Sequence, residues 1–166
     1  MSLSGPQGDW LHSQLDQVPA STDFVFFVFH HPPYTSSSDE KVFGGGHSAR
    51  PPEQALAKFL KERQQHGRAR FVVFNGHVHN YERHEHGGIT YFVTGGGGAH
   101  AYPIQRHADD LYKDPGVNYH YLLAEVDHNR LTVTMHKVEI KDGKEVWSTP
   151  DSVTITAPVA VPAAAD

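Results

Sequence analysis

Histidine is the residue type through which this chain could do most chemistry: there are 14 histidines among 166 residues, and no cysteine. Four of them come directly after apolar runs. Phe24-Val25-Phe26-Phe27-Val28-Phe29 ends in His30-His31-Pro32-Pro33-Tyr34, and Phe71-Val72-Val73-Phe74 runs into Asn75-Gly76-His77-Val78-His79. Imidazole is the commonest side-chain metal ligand and titrates near neutral pH. A lone His-x-His in a histidine-rich chain is weak evidence of a metal site. Two histidine-bearing strand ends separated by a helix are much stronger, because ligands in open α/β sheets bind just beyond the carboxyl ends of strands. The alternation of an extended chain puts both rings of His77-Val78-His79 on one face. Where the strand breaks into a loop, the two rings can diverge toward two different ions. Gly76 is expected to let the backbone turn there and a ligand approach.

The elements that must position these histidines are readable. Gln7 to Val18 has helical spacing of Trp10, Leu11, Leu15 and Val18, stopped by Pro19. The Phe24 to Phe29 run is apolar on both faces, as in a strand in the middle of a covered sheet. A loop from Thr35 to Arg50 leads to a helix from about Pro52 to Gln65, with Gly67 suited to its C-terminal cap. Phe71 to Phe74 and Ile89 to Thr94 read as further strands, the latter closed by Gly95 to Gly98. After an irregular polar stretch from Ala99 to Asn118 the pattern becomes antiparallel. Strands are expected at Tyr121 to Val126, at Leu131 to Ile140 and, after the Asp142-Gly143 hairpin signal, near Val146, with a last short one at Val153 to Ile155.

Bulk properties narrow the classes. The length fits one domain. A net charge of -5 leaves no clustered basic footprint for nucleic acid. No run of about 18 apolar residues occurs, so no helical membrane span is expected. Met1 to Gly5 has neither a basic nor an apolar signal-peptide region. The absence of cysteine excludes disulfides and thiolate metal sites and leaves localisation open.

Gly76-His77-Val78-His79-Asn80-Tyr81-Glu82-Arg83 resembles the GHVHxYER signature of purple acid phosphatases, within the calcineurin-like metallophosphoesterases. Phe27-Val28-Phe29-His30-His31-Pro32 resembles the VxxH block that precedes it. The resemblance runs from about Gln7 to Gly98, and more loosely over the β-rich remainder. It implies an α/β (α+β) fold: the C-terminal half of a metallophosphoesterase β-sandwich flanked by helices, with antiparallel hairpins at the C-terminus. It also implies a phosphoric-ester hydrolase with two metal ions, Fe with Fe, Zn or Mn. His30 and His77 would bind one metal and His79 the other. His31 falls at a variable position. His47 lies where relatives often place a histidine that contacts substrate phosphate or assists the leaving group. Glu82 and Arg83 would be supporting residues, and the family would be compatible with an extracytoplasmic location.

Three of the family's five blocks are not found. No Asp-x-His and no Gly-Asn-His occurs, and Gly8-Asp9-Trp10-Leu11-His12 matches GDxxY only superficially. Two close cations need anionic ligands to offset their repulsion, which neutral imidazoles do not supply. The expectation is therefore that residues 1–156 are the C-terminal portion of a catalytic domain and 157–166 a flexible tail or linker. Alone, the chain should hold at most one Zn²⁺, Ni²⁺ or Cu²⁺ weakly and turn over no substrate. Its expected partners are a phosphate ester, and either the missing N-terminal half of the domain or a second copy through an exposed sheet. Two alternatives stand beside this: a non-catalytic binding module, and a histidine-rich metal-sequestering protein using His84, His86, His100 and His107. Against the latter, His84-Glu85-His86 reads as a solvated turn.

Overall fold

A computed structural model describes residues 3–38 and 47–159. Helix α1 spans Pro6–Asp16 and strand β1 Phe24–Phe29. Helix α2 (Pro51–His66) follows, then β2 (Arg70–Asn75), β3 (Tyr81–His86) and β4 (Ile89–Thr94). Strands β5 (Tyr119–Asp127), β6 (Arg130–Lys141) and β7 (Lys144–Thr156) complete the chain.

The first sheet has the order β1-β2-β4-β3. Strands β1, β2 and β4 are parallel and β3 is antiparallel to β4. The second sheet, β5-β6-β7, is antiparallel throughout. Alternation along the strands sends residues to two different layers. Val25, Phe27, Phe71, Val73 and Tyr91 meet Leu11 and Leu15 of α1 and Leu56 and Leu60 of α2. Val72, Phe92 and Tyr81 meet Leu131, Val133 and Met135 of the second sheet. The result is a helix layer and two stacked sheets, the α/β class and two-sheet arrangement expected from the sequence.

Three local expectations are corrected. β1 is an edge strand, with Phe26 45% and Val28 79% exposed, although its composition reads as a covered centre. His84-Glu85-His86 is not a solvated turn. It belongs to β3, with His84 fully buried, and Gly87 and Gly88, both at positive φ, make the turn instead. Gly67 is the C-terminal cap of α2, as expected, in an extended conformation (φ -117°, ψ 152°). Val146 and Val153 to Ile155 lie on one strand, β7, because Pro150 sits at an edge-strand irregularity where the β6–β7 register shifts. Asp142 and Gly143 do form the hairpin turn, at φ 50° and 73°. Of the expected tail at 157–166, Ala157 is buried and exchanges two hydrogen bonds with Asn129, while residues 160–166 lie outside the described residues.

Candidate metal centre

The site begins where β1 and β2 end side by side. Their register pairs Phe29 with Asn75. The Asn75 side chain, 2% exposed, donates to the Phe29 carbonyl at 2.8 Å, and the Gly76 N–H donates to the His30 carbonyl at 3.0 Å. These bonds bring His30 and His77 together. His30 Nε2 lies 3.2 Å from His77 Nδ1. His31 joins them: the ligand atoms of His30, His31 and His77 all lie within 4.8 Å of one another.

The backbone does not stay extended through His77-Val78-His79. His77 has φ 67°, and the Val78 N–H donates to the Gly76 carbonyl at 2.8 Å. This is a γ-turn centred on a non-glycine residue in the left-handed region, a rare and strained conformation that clusters at functional sites. A second i→i+2 bond, from the Asn80 N–H to the Val78 carbonyl at 2.8 Å, bends the chain again. The left-handed residue is thus His77 and not Gly76. The turns are held from beneath by Gly95, where an added Cβ would lie 2.0 Å from the Val78 carbonyl oxygen.

The double bend separates the two rings. His77 faces His30 and His31. His79 points instead to the segment before β5: its Nδ1–H donates to the His100 carbonyl at 3.0 Å. That bond fixes the tautomer and leaves Nε2 as the lone-pair nitrogen, as in metal-bound histidines oriented by a carbonyl. His47 comes to the mouth between them, its ring 4.8 Å from that of His77 and 6.2 Å from that of His79. Beside His47 a cleft is lined by Ser36, Ser37, Ser38, Tyr102 and His107. Partial burial, then the cationic forms of His77, Arg50 and His30, hold His31 below the ordinary histidine range.

The donor set can be tested against a metal. Ligand atoms on a tetrahedral ion with bonds of about 2.0–2.1 Å stand about 3.3–3.4 Å apart. The 3.2 Å between His30 and His77 fits that spacing. Three imidazoles suit one Zn²⁺, Ni²⁺ or Cu²⁺. The group contains no carboxylate. The chain's one Asp-x-Gly, Asp114-Pro115-Gly116, is no substitute, because Asp114 pairs with Lys137 at 2.8 Å.

Two buried residues support the site: Asn80, which escaped the sequence reading, and Glu82, whose supporting role was expected. Asn80, fully buried, donates to the carbonyls of Tyr102 and Gly116 and accepts from Tyr81 N–H, Arg106 and Asn118. It fixes the 99–118 segment, and hence the carbonyl that orients His79. Glu82, fully buried, accepts from Thr35 Oγ1 at 2.7 Å and Ser36 N–H at 2.5 Å, which anchors the loop leaving His31. Asn80 lies inside the recognised signature, but only its place between a γ-turn and a long loop reveals its role.

Comparison with known proteins bears on the family and the fold. The chain is 32% identical to purple acid phosphatase 15 of Arabidopsis thaliana over 120 residues, 68% of this chain and 21% of that protein. The likeness is to a metallophosphoesterase. It is partial: the chain spans about a fifth of the length of that curated relative. No family model matches. Among solved structures, GAP50, the anchor in the inner membrane complex of Plasmodium, shares the fold at TM-score 0.50 and 19% identity, over 92% of this chain and 42% of that one. Vps29 of Chaetomium thermophilum superimposes at TM-score 0.40 and 19% identity, over 66% of this chain and 50% of that one.

Proposed function

We propose that this chain is the C-terminal portion, residues 1–156, of the catalytic domain of a dinuclear-metal phosphoesterase of purple-acid-phosphatase type. The observation that carries this reading is the meeting of His30 and His77 at 3.2 Å beyond the carboxyl ends of two adjacent parallel strands. In the assembled domain His30 and His77 hold one ion and His79 Nε2 the other. When bound, the two ions would supply an activated water and a clamp for the phosphoryl oxygens. His47 binds a phosphoryl oxygen or delivers a proton to the leaving oxygen. The γ-turn at His77 and the His79–His100 bond aim the two ring systems apart, so that one substrate can lie between them. The hydroxyls of Ser36 and Ser37 and the imidazole of His107 offer polar partners for the rest of the ester.

The bridging carboxylate must come from elsewhere, so the chain alone binds metal without turnover. Zinc titration by calorimetry, paired with hydrolysis of p-nitrophenyl phosphate, tests both halves. Binding should occur with no hydrolysis above the buffer-plus-zinc control, and His30→Ala with His77→Ala should abolish one binding event. Metal-dependent turnover by the chain alone would sink the incomplete-site reading. Unchanged binding in the double variant would sink the ligand assignment.

The uncovered β1 face favours a second reading, a binding module. Trp10, Phe26 and Val28 are all exposed there, beside an apolar groove that also includes Val25 and Val18. On the first reading, the remainder of the same domain covers this face.

A further inference from the structure

A second histidine cluster lies on β3, away from the strand ends that carry His30 and His77. His84 and His86, two residues apart, stand on one face of the strand. Asp109, from the irregular segment before β5, reaches over both. Its Oδ2 is 3.2 Å from His86 Nε2 and 3.5 Å from His84 Nδ1. The ligand atoms of the three residues fall within 4.8 Å of one another.

His84 has the feature that separates a built site from a chance cluster. The ring is fully buried. Its Nε2 lies 3.1 Å from the Glu82 carboxylate, to which it donates. Its Nδ1 is buried and has no hydrogen-bond partner. A neutral His84 whose proton sits on Nε2 therefore turns a lone pair toward another electron-rich atom, Asp109 Oδ2. Only a cation between them makes that arrangement favourable, and the choice is a second proton or a metal ion. A carboxylate receiving the far N–H of a histidine is the outer support that metal-bound histidines usually have. The two distances to Asp109 Oδ2 bracket the edge of about 3.3–3.4 Å for a tetrahedral ion with bonds of about 2.0–2.1 Å.

We infer that His84 Nδ1, His86 Nε2 and Asp109 Oδ2 form a second site for a divalent cation of the Zn²⁺ class, independent of the His30–His77 site. Two imidazoles and one carboxylate suit Zn²⁺ or Co²⁺ over Mg²⁺ or Ca²⁺, which prefer all-oxygen shells. Unlike the His30 group, this one has anionic compensation, from Asp109 directly and from Glu82 and Asp110 behind it. Asp109 is 49% exposed, so water reaches a fourth position. Tyr34 stacks on His86 at 3.8 Å between ring centres. The ion thus adds a tie between the 99–118 segment, the loop after His31 and the outer edge of β3, where the Leu111 N–H already donates to the Arg83 carbonyl at 2.7 Å. The chain then holds two ions in separate places, rather than at most one.

Cobalt titration separates this site from the first. The probe is Co²⁺ added to the chelator-treated chain carrying His30→Ala and His77→Ala. One Co²⁺ per chain should bind, with the visible absorption of a four-coordinate ion. Adding either His86→Gln or Asp109→Asn should weaken it at least tenfold. Both residues are partly exposed, and circular dichroism checks that these variants fold. If the background variant takes up no Co²⁺, a proton fills the gap at His84 and the inference fails. Uptake that survives His86→Gln combined with Asp109→Asn also overturns it. Neither result bears on His30 and His77, which are absent from that background and are read in the unmodified chain.

Discussion

His120 shows what a buried imidazole does when its two nitrogens have unlike partners. Nδ1–H donates to the Asn118 carbonyl at 2.9 Å, so Nε2 is left to accept from Thr94 Oγ1 at 3.0 Å. Burial pushes its pKa below the ordinary value of 6.5, against a smaller upward pull from the Asn118 carbonyl. The unfolded chain therefore binds this proton more readily than the folded one. Stability from His120 is complete above pH 6.5 and is lost as pH falls from there toward the folded-state pKa. Between pH 6.5 and 5, urea unfolding of the native chain should lose stability with a slope of at most about 1.4 kcal/mol per pH unit from this group. A His120→Gln variant, compared with wild type as a difference in slope, should flatten that loss. An unchanged slope would show that His120 already titrates normally.

Elements are joined by one clamp that the sequence does not advertise. Arg83 on β3 donates through Nε and Nη2 to both oxygens of Asp151 on β7, at 2.8 and 3.0 Å, and Tyr81 Oη donates to the same carboxylate at 2.7 Å. The pair is nearly buried, and Arg83 is held above the ordinary arginine range, chiefly by its hydrogen bond to Asp151. Asp151→Asn leaves the guanidinium without its counter-charge between the sheets. It should cost about 3 kcal/mol in chemical denaturation, with little effect on metal uptake at His30 and His77. The same clamp explains what was legible. β1, β2 and β4 are apolar runs, and their limits in the structure match the sequence to within a residue. β3 is Tyr-Glu-Arg-His-Glu-His, whose burial depends on Asp151, Thr35, Ser36 and Asp109, all distant in sequence. A periodicity argument sees only polar residues there. β7 reads as two strands in the sequence, whereas the chain carries one strand through the register irregularity that includes Pro150.

For the whole molecule, the order β1-β2-β4-β3 leaves the most apolar strand at an edge that no other strand among the described residues pairs. Such an edge presents unpaired N–H and C=O groups beside Phe26 and Val28, a template for pairing with another chain. The chain should self-associate, and Phe26→Lys with Val28→Lys should shift it toward monomer in sedimentation velocity without loss of the circular dichroism signal. An identical distribution for both proteins would dissociate assembly from this face. The site was legible to a similar extent as the fold. The convergence of His30 with His77 follows from two strand ends and a crossover helix. The membership of His31 does not, since it depends on how a His-His-Pro turn leaves the sheet. The divergence of His79 from His77 was legible as well, since the strand breaks into a loop there, but the two successive i→i+2 turns that produce it are not visible in the spacing.

The γ-turn at His77 also bears on how quickly the histidine cluster can act. Its unfavourable backbone angle is held in the folded chain by the Gly76–His30 bond on one side and the tight fit of Gly95 on the other. The rings of His30 and His77 are therefore oriented before any cation arrives, and little ordering remains to be done at the moment of capture. On the proposed reading, uptake at such a preorganised pair would be governed by how fast the incoming ion sheds its own water, not by a rearrangement of the protein.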